Sequence, residues 1–123
     1  MGKHTNKTIL IAEDDHAIIE VIKIILEDAG YTTVGVSDGK AITDIAHKEK
    51  PALILLDIWI SGENGEDIAK KLKSTASTGH IPIVMISANN ETEQIAKKAG
   101  VEDFLQKPFN MEDLIAIVKK YVG

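Results

Sequence analysis

Leu53-Ile54-Leu55-Leu56-Asp57-Ile58-Trp59, preceded by Pro51, decides how the rest of the chain is read. A continuous apolar run of this length marks a strand buried on both faces, as in a parallel sheet covered by helices. It ends abruptly on a carboxylate. Ligands of open parallel sheets gather beyond the carboxyl ends of the strands, so an acid at that point is placed for chemistry. An isolated Asp there reads equally well as a helix N-cap or a turn residue. Asp57 has company, because three other strand ends carry polar groups able to converge on it.

To either side, short apolar runs alternate with amphipathic stretches, and no linker, repeat or low-complexity tract interrupts them. Thr8 to Ala12 is a buried strand closed by Glu13-Asp14-Asp15. From Ala17 to Ala29, Ile18, Val21, Ile22, Ile25 and Leu26 recur at helical spacing, with Gly30 where a left-handed cap belongs. Thr32 to Val36 is a weaker strand, expected nearer an edge. Ser37-Asp38-Gly39 opens a second helix that turns Ala41, Ile42, Ile45 and Ala46 inward. After the central strand comes a loop, Ile60 to Gly65, and a third helix from about Glu66 to Ser74. Ile83 to Ile86 is a fourth strand ending on Ser87. Asn90, with Glu93 three residues on, resembles a cap for a fourth helix that stops at Gly100. Asp103 to Gln106 is a short fifth strand ending at Lys107-Pro108, and Asn110 caps the last helix.

Five strands alternating with five helices imply βαβ units and a parallel sheet with helices on both faces. Right-handed crossovers leave few strand orders, of which 2-1-3-4-5, the doubly wound, flavodoxin-like order, is the natural one. It sets strands one, three, four and five side by side. Their carboxyl ends carry Glu13 and Asp14, then Asp57, then Ser87, then Lys107. The whole chain, 1–123, reads as one domain, with 1–7 a flexible polar leader.

Composition narrows the chemistry. Net charge is −5, which argues against direct nucleic-acid binding or attraction to an anionic membrane. All 14 basic residues other than His are Lys, so an arginine finger is excluded and any phosphate must be met by Lys, backbone or metal. The absence of Cys removes disulfides, thiolate metal sites and Cys nucleophiles together. No apolar run reaches the ~20 residues needed to span a bilayer. The first residues lack the apolar stretch of a signal peptide, so the chain is expected to be cytoplasmic.

Two acids at one strand end and a third at its neighbour repel one another unless a proton or a cation sits among them. Oxygen ligands from a partly open site suit Mg²⁺. Lys107 adds a compact positive charge, and Ser87 a hydroxyl able to donate to an anionic oxygen. Acids, metal, Lys and hydroxyl together describe phosphoryl transfer, with Asp57 as the covalent acceptor. The bland alternative for the acidic run is a helix N-terminus holding acids against its dipole, which accounts best for Asp15. For Lys107 it is a solvated surface lysine.

Ile9-Leu10-Ile11-Ala12-Glu13-Asp14, Leu55-Leu56-Asp57, Ser61-Gly62-x-x-Gly65, Ser87-Ala88 and Lys107-Pro108, in this order and spacing, resemble receiver domains of two-component response regulators, from Thr8 to Val122. The resemblance implies that Asp57 accepts a phosphoryl group from a phosphohistidine of a sensor histidine kinase or a histidine phosphotransfer protein. It implies Mg²⁺ held by Glu13, Asp14, Asp57 and the backbone carbonyl of Trp59. It pairs Lys107 with Asp57 or its phosphoryl group, lets Ser87 hydrogen-bond that group, and puts Phe104 at an aromatic switch position. The response would pass to the surface of the fourth helix, fifth strand and fifth helix, for partner binding, onward relay or a phosphorylation-dependent dimer. The output partner, or a fused output domain, is not named by the sequence. A cis Lys107-Pro108 bond is a further implication.

Three positions depart from the usual pattern. Glu13 stands where Asp is frequent, Ser61 replaces a usual Pro and should loosen the loop, and Trp59 is bulkier than the common occupant. Trp59 is expected as an exposed ring beside the site, where with Asn89 it would set how water reaches the acyl phosphate. Rival readings fit less well. A flavodoxin-type phosphate loop would need Ser, Thr and Gly where Glu13-Asp14-Asp15-His16 stand. A haloacid-type hydrolase needs a second Asp where Trp59 stands. Gly35 to Ala41 lacks the final Ser or Thr of a P-loop, and the His residues show no ligand spacing. A receiver that only binds partners is the serious rival, set against competent side chains at every site position.

Overall fold

The computed structural model describes residues 6–123. Most of the expected flexible leader therefore lies outside the described residues. Asn6 and Lys7 are inside them, and both are tied down: Asn6 Nδ2 donates to the Lys50 carbonyl, and the Lys7 carbonyl accepts from Thr32 N.

Five strands form one parallel sheet: β1 Thr8–Ala12, β2 Thr32–Val36, β3 Leu53–Asp57, β4 Ile83–Ser87 and β5 Asp103–Gln106. Their order is β2-β1-β3-β4-β5, the doubly wound order expected. Ile11 lies opposite Leu55 on one side of β3, and Val84 opposite Leu55 on the other. The weakly apolar β2 is an edge, as its pattern suggested. Five helices cover the faces: α1 His16–Asp28, α2 Ile42–Glu49, α3 Gly65–Ser74, α4 Thr92–Ala99 and α5 Met111–Val122.

The central strand is apolar throughout because neither face sees water. Leu53, Leu55, Ile9, Ile11 and Val84 face α1 and α5, where Ile19, Ile22, Leu26, Leu114 and Val118 meet them. Ile54, Leu56, Leu10 and Met85 face α2, α3 and α4, against Ile42, Ala46, Leu72 and Ala96. Each fully buried side chain of this size contributes roughly 1.5–3 kcal/mol, so β3 anchors both layers. Burial without hydrogen bonds would undo that gain. Among the described residues, no buried side-chain nitrogen or oxygen lacks a partner.

Local starts and stops follow their caps. Asp15 Oδ1 accepts from Ala17 N at 2.9 Å and opens α1, while Gly30, at φ +100, follows its end. Asn110 accepts from Asp113 N at 2.7 Å and opens α5. Two starts differ from expectation. The second helix begins with a 3₁₀ turn, Gly39–Ala41, capped by Asp38. The fourth is not capped by Asn90. Asn89 Oδ1 takes the N–H of Glu91 at 2.7 Å in an Asx turn, and α4 starts at Thr92. The asparagine that competes for the backbone is one residue earlier than the pattern suggested.

The stretch after Asp57 is more ordered than a loop. Trp59–Ile60 and Glu63–Asn64 pair as a small antiparallel hairpin, with Trp59 opposite Asn64 and Ile60 opposite Glu63. Asn64 then caps α3 through Glu66 N at 2.8 Å. Among the described residues, no helix is long and apolar enough to cross a membrane.

Candidate functional site

The strand order decides which polar ends meet. Glu13 and Asp14 follow β1, Asp57 closes β3, Ser87 closes β4 and Lys107 follows β5, and these four strands are neighbours. Carboxylate oxygens of Glu13, Asp14 and Asp57 lie within 4.8 Å of one another. Lys107 Nζ donates to Glu13 Oε1 at 2.8 Å and to Asp57 Oδ2 at 3.3 Å. Asp15 takes no part in the cluster and is the helix cap, as the bland reading of that residue had it.

Glu13 is the buried member, only 5% exposed, and its second oxygen accepts from Asp15 N at 3.2 Å. Burial pushes its carboxyl above the ordinary range; the hydrogen bond from Lys107 pulls the other way, and the charge of Asp57 adds to the rise. For Lys107, burial disfavours the ammonium. The hydrogen bond to Glu13 and the charges of Asp57 and Glu13 outweigh that and hold its pKa above the usual lysine value. One ammonium thus faces three carboxyl groups. The cleft keeps an excess of negative charge that a divalent cation would neutralise.

The donor set fits such a cation. Three carboxylates supply hard oxygens, and the residues run from buried Glu13 through half-buried Asp57 to exposed Asp14, so one side is open to water and a phosphate. That is the coordination Mg²⁺ prefers: few protein oxygens, with retained waters. Thiolate ligands are excluded by the chain itself, which has no Cys.

The hairpin supplies contacts that sequence reading missed. Ser61 N donates to Asp14 Oδ2 at 3.0 Å, and the Ser61 hydroxyl to the Ser37 carbonyl. Ser61 has φ +52 and Gly62 φ +77, the pair of positive values that defines a two-residue type I′ turn. Where a looser loop was expected at Ser61, the chain has a paired turn held at two points. A proline could not adopt this φ. The clue in the sequence was Ser-Gly between two residues that pair, and it is weak because the ladder is so short. Trp59 is 58% exposed, as expected, and its backbone N–H donates to Asp57 Oδ1 at 3.3 Å.

Ser87 is half-buried and its hydroxyl accepts from Asn89 N at 3.0 Å, leaving its own proton available. The side chain of Asn89 turns to Glu91 N. Phe104 lies two positions before the end of β5 and lines, with Ala96 and Val101, a groove between α4 and β5. It lies outside the acidic cluster of Glu13, Asp14 and Asp57. The Lys107–Pro108 bond is cis. A separate apolar groove of about 320 Å³ runs beside the cleft, lined by Ala17, Ile18, Val21, Ile22, Pro108 and Phe109 and bordered by Lys107.

Fold and cleft together define a flavodoxin-like α/β protein with an acidic, lysine-bridged pocket on the carboxyl edge of its sheet. Residues 9–119 match the family model described as the response regulator receiver domain. The chain is 36% identical over 115 residues to the phosphate regulon transcriptional regulatory protein PhoB of Pseudomonas aeruginosa, covering 92% of this chain and 50% of that protein. It is 29% identical over 120 residues to the polar-differentiation response regulator DivK of Brucella anthropi, covering 95% and 97%. The chain spans about half the length of PhoB and of the DNA-binding response regulator MtrA of Mycobacterium tuberculosis H37Rv, where the share is 48%.

Among solved structures it resembles chemotaxis response regulator CheY4 of Vibrio cholerae, with a TM-score of 0.87, 26% identity and coverage of 95% and 99%. The receiver domain of sensor histidine kinase PA1611 of Pseudomonas aeruginosa, crystallised with a magnesium ion in its active site cleft, gives 0.87, 26%, 96% and 98%. This chain belongs to the response regulator receiver domain family of two-component signalling. Such domains are signalling proteins rather than enzymes in the ordinary sense.

Proposed function

We propose that this chain is a phosphoacceptor: an Asp57 carboxylate oxygen attacks the phosphorus of a phosphohistidine on a sensor kinase or phosphotransfer protein. A P–O bond forms, the P–N bond breaks, and the donor imidazole leaves. The observation that carries this reading is Asp57 held by Lys107 at 3.3 Å within an acid cluster that has a net negative charge. Bound by Glu13, Asp14, Asp57 and the Trp59 carbonyl, Mg²⁺ would supply charge neutralisation for the transferring group.

The residues divide the remaining work. Lys107 is placed to follow the charge from the carboxylate to the phosphoryl oxygens, and Ser87 to donate its free proton to one of them. Water attacking the phosphorus later restores the carboxylate and releases inorganic phosphate. Trp59 is proposed to shape that water's approach; Asn89, whose side chain caps the turn before α4, acts on it only through the loop.

Ser87 moving toward the phosphoryl group would alter the loop into α4, and with it the Phe104 groove, so the changed surface is α4, β5 and α5. That surface is where a partner, a relay protein or a second copy would bind. The domain is proposed to act in the cytoplasm, as 1–123 alone or as part of a longer regulator, without touching DNA itself.

Incubation with Mg²⁺ and acetyl phosphate, read by intact mass spectrometry, tests the reading. The wild type should gain one phosphoryl group and Asp57→Asn none. Absence of any gain in the wild type, or an equal gain in Asp57→Asn, would overturn it.

A further inference from the structure

Asp14 is the exposed acid of the cluster, in the bend between β1 and α1, and one of its oxygens is engaged. Oδ2 accepts the N–H of Ser61 at 3.0 Å, from a residue 47 positions away in sequence. That N–H reaches Asp14 only because of how the hairpin turns. Ser61 and Gly62 are both in the left-handed region, at φ +52 and +77, which a residue with a side chain adopts at a cost.

The surroundings hold the hairpin in place. The Ser61 hydroxyl donates to the Ser37 carbonyl in the turn between β2 and α2. A Cβ on Gly39 would meet the Glu63 side chain and the Ile60 carbonyl, and one on Gly65 would run into the carbonyls of Asp57 and Ile58. Two glycines therefore let the hairpin sit between the β2–α2 turn and the start of α3.

We infer that Ser61 is a positioning residue for Asp14: its backbone N–H takes one carboxylate oxygen and leaves the other aimed into the cleft as a cation ligand. The inference rests on Glu13, Asp14 and Asp57 being Mg²⁺ ligands. Groups that orient a metal ligand through a hydrogen bond typically change affinity by about 10–100-fold when removed. Serine at this position thus supplies a donor that a proline cannot, since proline lacks the N–H and is confined to negative φ. The loop thereby holds a contact to the proposed ligand set that a proline at this position could not make.

The test uses the unphosphorylated chain and Mg²⁺ alone, with dissociation constants from calorimetry. Ser61→Gly keeps the N–H and tolerates the backbone, so its Mg²⁺ affinity should stay within about twofold of wild type; Ser61→Pro should bind about tenfold more weakly. In an Asp14→Ala background, Ser61→Pro should add less than about twofold, because the group it positions is gone.

Nuclear magnetic resonance of the wild type supplies a readout that does not depend on the proline variant folding. The Ser61 amide proton should resonate downfield, as a donor to a carboxylate, and move upfield in Asp14→Ala. Wild-type protein that fails to bind Mg²⁺ at all would overturn the metal reading itself. Wild-type binding with Ser61→Pro equal to it, with Ser61→Gly and Ser61→Pro equally weak, or with a Ser61 amide indifferent to Asp14, would overturn the positioning role.

Discussion

Lys73 and Lys107 each bring an ammonium to a carboxylate, the first at the amino end of the sheet and the second at its carboxyl end. Lys73 Nζ donates to Glu102 Oε2 at 2.7 Å, to the Ile81 carbonyl at 2.8 Å and to the Gly79 carbonyl at 3.4 Å. Glu102 Oε1 accepts from Ile83 N at 2.8 Å. One cation meets one anion, every remaining valence goes to backbone, and α3, β4 and the entry to β5 are fastened together. Lys107 meets two carboxylates with a third close by, and among the described residues no backbone carbonyl shares the load. The same residue type therefore serves two ends. Where charges balance the result is a structural staple, and where acids outnumber the lysine the result is a cleft that draws a cation and a phosphoryl group.

The largest expected contrast is in rate. Lys107→Met should slow phosphoryl uptake from acetyl phosphate by about 100-fold, the usual effect of removing one donor to developing charge. Lys73→Met should leave uptake unchanged, as followed by intact mass against time. Equal slowing in both variants would erase the distinction.

Next comes stability. Lys73→Met leaves Glu102 and two carbonyls without their donor and should cost about 2 kcal/mol in urea unfolding at neutral pH. A third contrast reverses sign. In Mg²⁺-free buffer, Asp57→Asn relieves repulsion and should stabilise the fold by about 1 kcal/mol, whereas Glu102→Gln breaks a balanced pair and should cost about 1 kcal/mol. Destabilisation by Asp57→Asn would mean that the cleft is not strained by its own charge.

The central strand was legible because Leu53 to Leu56 left no polar face for water, and the acids at the strand ends became a site once the strand order set them side by side. Lys107 gained meaning the same way, from its place after β5. Lys73 was not legible. Nothing in the sequence separates it from Lys70 and Lys71, and its partner Glu102 lies 29 positions away. The Ser61 turn escaped because its two-residue strands are too short to show alternation, and serine carries little preference for positive φ. The Asn90 cap failed for a local reason, since Asn89 next to it reaches the backbone first.

The smallest contrast is in pH dependence. Burial raises the Asp103 carboxyl, but the Tyr121 hydroxyl, the Phe104 N–H and Lys120 outweigh it and leave its pKa lowered. Its contribution is present above the ordinary Asp pKa and lost as pH falls through the lowered one. Glu13 runs the other way. With its pKa raised, chiefly by burial, the native state holds the proton longer, so metal-free stability declines as pH rises from the ordinary Glu value through the raised one. Denaturant melts from strongly acidic to neutral pH should show Asp103→Asn removing the rising limb below the ordinary Asp value and Glu13→Gln the falling one above the ordinary Glu value. A slope of the same sign removed by both would contradict this.

Borohydride reduction of the phosphorylated chain, followed by peptide mass spectrometry, tests most directly whether the acid cleft is a phosphoacceptor. An aspartyl phosphate is reduced to homoserine, and the homoserine should appear at position 57 only, and only when Mg²⁺ was present during phosphorylation. Homoserine at Asp14 instead, or a phosphoryl group that survives reduction on a serine or histidine, would contradict it.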